Sequence, residues 1–157
     1  MPTLTQEMKD AVTAARLAYV ATVSPDGAPN LSPKGSLQPW DDDHLVFADL
    51  ASPMTIRNLR ANPRIEINVV DPFARRGFRF RGRADVLADG PVFEAVAAAL
   101  LAKFGPKLRV DHVVRVRVEE ARPVISPAYA LDPSATVESV TSEWLEIYGV
   151  SVETKGA

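Results

Sequence analysis

The stretch Phe47-Ala48-Asp49-Leu50-Ala51-Ser52-Pro53-Met54-Thr55-Ile56-Arg57-Asn58-Leu59-Arg60-Ala61-Asn62-Pro63 decides the fold. An apolar strand over residues 44–48 runs out into a short turn. Ser52-Pro53 then opens a helix that stops at Asn62-Pro63. Ser is a good N-cap, and proline suits the first helical position, where no amide donor is needed. Thr55 falls in the first turn and Arg57 follows closely. A helix start with free N–H groups, two hydroxyls and a nearby guanidinium is a natural phosphate cradle. The stretch therefore marks a candidate binder of a phosphorylated cofactor.

Upstream, Thr3 to Gln6 has the spacing of a capping box, and Met8, Val12 and Ala15 follow at helical intervals. Leu17, Tyr19, Ala21 and Val23 then alternate as a strand, closed by the turn Ser24-Pro25-Asp26-Gly27. A second strand is expected over 28–37, a turn at residues 39–43, and a third strand over 44–48. Downstream, Ile65, Ile67 and Val69 give a fourth strand. Asp71-Pro72 and Arg76-Gly77 interrupt it, and residues 78–87 resume as a fifth. Asp89-Gly90-Pro91 starts a helix with an apolar stripe from Phe93 to Phe104, stopped by Gly105-Pro106. Residues 110–118 form a sixth strand, with a continuation past Arg122-Pro123 to residue 125 left open. Val137, Val140, Trp144, Leu145 and Tyr148 mark a last helix. The tight turns between strands predict a mainly β, six-stranded antiparallel barrel with peripheral helices. A doubly wound sheet is excluded because the first three strands lack intervening helices.

Residues 1–150 are expected to be a single domain, with 151–157 a frayed tail. Apolar content of 46% and charged content of 24% are ordinary for a globular chain. The balance of 18 basic and 20 acidic side chains, net −2, argues against a dedicated nucleic-acid binder. With no cysteine, disulfides, thiolate metal sites and thiol catalysis are excluded. No signal peptide and no span-length apolar run is read, so a cytoplasmic protein without membrane attachment is expected.

Ser32-Pro33-Lys34-Gly35 places a hydroxyl and an ammonium on one face of a strand, suited to a phosphate. The bland reading is an irregular edge strand, because Pro33 lacks a donor. Ser52 equally reads as a plain cap, and Arg57, Arg60 and Arg64 as a solvated helix face; of these only Arg57 is taken as a ligand. Asn58 reads as a structural amide. In residues 75–83, Phe78 and Phe80 share one strand face and Arg79, Arg81 and Arg83 the other. This loosely echoes an RNA-stacking strand, against the simpler reading of Phe inward and Arg outward. Asp41-Asp42-Asp43-His44 reads as a solvated turn, and no metal is expected. His112 reads as a packed or interface residue. No Ser/His/Asp relay, Walker loop or dinucleotide glycine fingerprint is present, and no catalytic residue is assigned.

The order of these pieces resembles the flavin-binding split barrel of the pyridoxamine-5′-phosphate-oxidase-like superfamily. The likeness rests on Tyr19 to Val23 with Pro25-Asp26-Gly27, on Pro29 to Gly35, on His44 to Asp49, on Ser52-Pro53, on Arg57 to Arg64, on Glu66 to Phe73 and on Gly77 to Gly82. It implies a mainly β, FMN-binding split β-barrel and a homodimer with flavin mononucleotide at the interface. Carried over, the phosphate ligands are Ser32, Lys34, Ser52, Thr55 and Arg57. The isoalloxazine lies near Pro33, Gly35, Phe47, Ala48 and Asp49. Relatives often have a basic pair in the first helical turn, where this chain has Met54 and Thr55. True pyridoxamine-phosphate oxidases also end in an Arg-bearing segment, whereas residues 142–157 contain no Arg. The expected activity is thus an oxidoreductase using a small organic substrate or nicotinamide donor, not vitamin B6 oxidation. The alternatives are a deazaflavin-dependent reductase of the same fold and a non-catalytic flavin or haem carrier.

Overall fold

The computed structural model describes residues 3–151, so the expected tail, from 152 onward, lies outside the described residues. Twelve elements follow in order: α1 (Gln6–Ala15), β1 (Ala18–Val23), β2 (Pro29–Lys34), β3 (Gln38–Pro39), β4 (His44–Asp49), α2 (Pro53–Ala61), β5 (Arg64–Asp71), β6 (Arg76–Leu87), α3 (Gly90–Phe104), β7 (His112–Ile125), α4 (Ala128–Leu131) and α5 (Val137–Ile147). The strands form one sheet in the order β2-β1-β5-β6-β7-β4-β3, antiparallel at every pairing. The sheet curls into a split barrel with the helices outside.

The sheet has seven strands rather than the six expected. The extra one is the two-residue β3, at the junction between the second strand as read, 28–37, and the turn after it. Gln38 and Pro39 pair with Val46 and Leu45, a ladder too short to leave a periodic signal. Among the described residues there are five helices where the sequence reads four; the added one, α4, is a single turn after Pro127. Residues 112–125 are one strand, whose register against β6 shifts between Arg81 and Gly82. Arg122 and Pro123 stay in register with Arg79 and Phe78, beyond the end of the β4 ladder, where β7 has a free side that tolerates a proline. The N-cap of α1 is Thr5, which accepts from the Met8 amide at 3.3 Å, and not Thr3. Thr3 instead donates its amide and hydroxyl to Asp43, both at 2.9 Å.

The barrel interior is filled by Val20, Leu45, Phe47, Ile67, Phe80, Val114 and Val116. A second core lies beneath α3, where Val46, Ala48 and Val113 meet Val96 and Leu100. β4 is therefore buried on both faces, which is why Leu45 to Ala48 reads as an unbroken apolar run. The α3 stripe is only partly used: Leu101 and Phe104 remain exposed. In β6, Phe78 and Phe80 turn inward and the arginines outward, the simpler of the two readings.

β1 and β2 invert the usual polarity. The outward pairs are Tyr19 with Pro33, Ala21 with Leu31 and Val23 with Pro29, apolar throughout. Inward, Val20 faces Ser32, Ala18 faces Lys34, and Thr22 faces Asn30. The apolar set that announces the first strand thus looks away from the barrel, while the polar set of β2 looks in.

Candidate functional site

The inward polar line of β2 ends at Lys34, which is only 4% exposed. Its Nζ donates to Ser32 Oγ at 2.5 Å and to Ser52 Oγ at 2.7 Å, and lies 5.9 Å from the centre of the Phe47 ring. Among the described residues, no carboxylate lies within ion-pair distance of it. Burial pulls the Lys34 pKa below its ordinary 10.5, with the charge of Asp49 working the other way.

Ser52 occupies the N-cap position of α2, as its sequence context predicts, yet its side chain makes no capping bond. The hydroxyl is held by Lys34 instead. The Ser52 amide donates to Asp49 Oδ1 at 2.7 Å, so Asp49 at the end of β4 ties the helix start to the sheet. Thr55 is fully buried in the first turn, and its Oγ1 has no hydrogen-bond partner. A buried ammonium held only by hydroxyls, at a helix start with an unpartnered hydroxyl in its first turn, is a donor set matched to an anionic group.

The structure thus joins Ser32, Lys34, Ser52 and Asp49 in one hydrogen-bonded group. Phe47 and Ala48 are core residues with enclosed side chains. The Ala48 amide is bonded by Ser36 Oγ at 3.0 Å. Pro33 faces outward, and Gly35 lines a different cavity, shared with Arg16, Ser36 and α3. Arg57 is exposed and lines a groove of about 620 Å³ with Asp49, Arg60, Arg109 and His112. His112 lies opposite Asp49 in the β4–β7 ladder, its Nδ1 3.3 Å from Asp49 Oδ2. Arg60 NH2 reaches His112 Nε2 at 2.9 Å. These two residues look like a solvated helix face and a packed histidine in sequence; only the β4–β7 register brings them to Asp49.

Asn58 does anchor α2 structurally: it is fully buried and its Nδ2 donates to Thr22 Oγ1 at 3.0 Å, which also accepts from Asn30 Nδ2 at 3.2 Å. Among the described residues no group of three His, Asp or Glu side chains is placed to hold a metal. No helix among them is long and apolar enough to cross a membrane.

Fold and site together define a split-barrel protein with a buried cation at a helix start. A family profile described as pyridoxamine 5′-phosphate oxidase matches residues 4–125. The chain belongs to this pyridoxamine 5′-phosphate oxidase-like, FMN-binding split-barrel family. HupZ of Group A Streptococcus is 34% identical, with a TM-score of 0.70 over 78% of this chain and 95% of that one. A structure named F420 reductase is 25% identical, with a TM-score of 0.59 over 76% of this chain and 98% of that one. An FMN-binding protein of Syntrophomonas wolfei shares the fold at 16% identity and a TM-score of 0.68, over 77% and 86% of the two chains. No curated protein matches the chain in sequence.

Proposed function

We propose that this chain binds flavin mononucleotide and works as a flavin-dependent oxidoreductase on a small organic substrate or nicotinamide donor. The observation that carries the reading is the buried Lys34 ammonium, clasped by Ser32 and Ser52 at the start of α2. An anion there offsets the cost of burying that charge. Ser32, Lys34, Ser52, Thr55 and Arg57 would hold the phosphate, and the β2 and β4 backbone around Pro33, Gly35, Phe47, Ala48 and Asp49 would flank the ring. Bound flavin supplies the electron transfer. The chain's own residues bind, orient and exclude water, and none is assigned as acid or base.

The working unit in this reading is a homodimer. Its support is the outward apolar face of β1 and β2, where Tyr19 is 49% and Leu31 66% exposed. Such a contiguous patch calls for a cover. Trp40 is exposed as well, at 39%, whereas the aromatic strand adds nothing to such a face, because Phe80 is enclosed.

A visible spectrum of the purified protein, with mass analysis of what heat releases, tests the cofactor. Flavin absorbance with released FMN supports the proposal. A colourless protein that also refuses added FMN overturns it in favour of the deazaflavin coenzyme, the reading supported by the F420 reductase likeness and by the absence of a cation at Met54 and Thr55. Lys34→Ala should weaken FMN binding roughly 10- to 100-fold, since a charge-assisted bond contributes about 1.5–3 kcal/mol. Reduction of the bound flavin by a nicotinamide donor separates an enzyme from a carrier.

A further inference from the structure

The groove beside α2 is not used by the phosphate cradle, apart from the shared Arg57 and Asp49. Its charged lining is Arg57, Arg60, Arg109, His112, Asp49 and Asp111, over an apolar floor of Pro53 and Ile56. Both carboxylates are already engaged. Asp49 accepts from the Ser52 amide and from His112, and Asp111 accepts from Arg109 at 2.6 Å. Among the described residues neither Arg57 nor Arg60 has a carboxylate within ion-pair distance. Arg60 spends one N–H on His112 Nε2, and because a guanidinium only donates, that nitrogen must be the acceptor. Nδ1 then carries the proton toward Asp49. His112 thereby bridges Asp49 and Arg60, orients Arg60 and leaves its remaining donors free.

We propose that this groove is a second anion site, which takes a small organic carboxylate or phosphate monoester with a compact apolar body. Arg60 grips the anionic group, Arg109 adds the donors that its Nε bond to Asp111 leaves free, and His112 is the positioning residue for Arg60. The apolar body lies on Pro53 and Ile56. A volume of about 620 Å³ suits a ligand of that size. The ligand is the redox partner of the cofactor held on the other side of Asp49. That last assignment rests on the flavin reading; the anion binding does not.

Calorimetric titration of the FMN-loaded protein with phenyl phosphate, benzoate and neutral benzamide tests the site. One of the two anions should bind at least about tenfold more tightly than benzamide, the equivalent of one charge-assisted contact. Arg60→Gln with Arg109→Gln should remove the difference, while Arg64→Gln, outside the groove, leaves it intact. His112→Phe should lower anion affinity, and His112→Gln, which keeps an acceptor for Arg60, should restore it. Equal binding of the anions and benzamide overturns the proposal, as does anion binding that survives the double substitution. Anion binding seen only before FMN is loaded also overturns it, and assigns the groove to the cofactor's own phosphate. Failure of FMN to bind while the anion difference persists refutes the flavin reading and leaves the anion site standing.

Discussion

At the scale of single residues, Lys34 sets the terms. In the ligand-free protein it is a buried ammonium with hydroxyl partners, an arrangement that costs stability. Its native pKa is lowered by burial, so the unfolded chain holds the proton more firmly. The unfolded state then binds more protons as pH rises from the native value toward 10.5, and stability increases across that window. Lys34→Met should therefore make the ligand-free protein more stable at neutral pH, with the gap narrowing as pH approaches 10.5 in urea titrations. The same variant should lose FMN. Thr22 is a second pivotal residue, because its one oxygen serves Asn30 on β2 and Asn58 on α2. Thr22→Val keeps the shape but strands a buried amide, and should cost about 1–3 kcal/mol by denaturant unfolding. The hydroxyl and ammonium of Ser32 and Lys34 are legible in sequence because strand alternation puts them on one face. The diversion of Ser52 away from its own helix is not legible, since capping preference speaks only of the local chain.

At the scale of elements, the β6–β7 pair is the tightest constraint. A methyl group at Gly82 would stand 2.0 Å from the Arg117 carbonyl oxygen, beside the register shift. Gly82→Ala must push β7 away from β6 and should cost about 1–3 kcal/mol in thermal unfolding, or prevent soluble expression. The close approach of a backbone carbonyl is the physical reason for a glycine at position 82. The N-terminal segment is fastened differently, by the two bonds from Thr3 to Asp43, which hold that carboxyl below its ordinary 3.8. The anchorage exists above that value and fades as acid carries the pH through the lowered one. Strong periodicity and turn chemistry make α2, α3, β4, β5 and β6 readable from the chain. The two-residue β3 and the unbroken β7 are not, since both depend on a neighbouring strand and not on local pattern.

At the scale of the whole molecule, the inverted polarity of β1 and β2 is the feature on which the proposed dimer rests. Tyr19→Glu with Leu31→Glu should give a monomer by light scattering at low micromolar concentration and should release FMN. A double variant that stays dimeric would remove this face from the interface. How the pair closes follows from the sheet's rim. β2 is an outer strand, and a proline fits a strand only where its missing N–H looks away from the ladder. Pro29 and Pro33 therefore erase two of the donors that an incoming strand would need. In the proposed dimer the copies would then meet face to face, a geometry that closes at two, and not rim to rim, which propagates without end. Pro29→Thr with Pro33→Thr would restore those donors. The expected outcome is open-ended assembly, read as a turbidity rise and thioflavin binding on mild heating, where the parent chain stays clear.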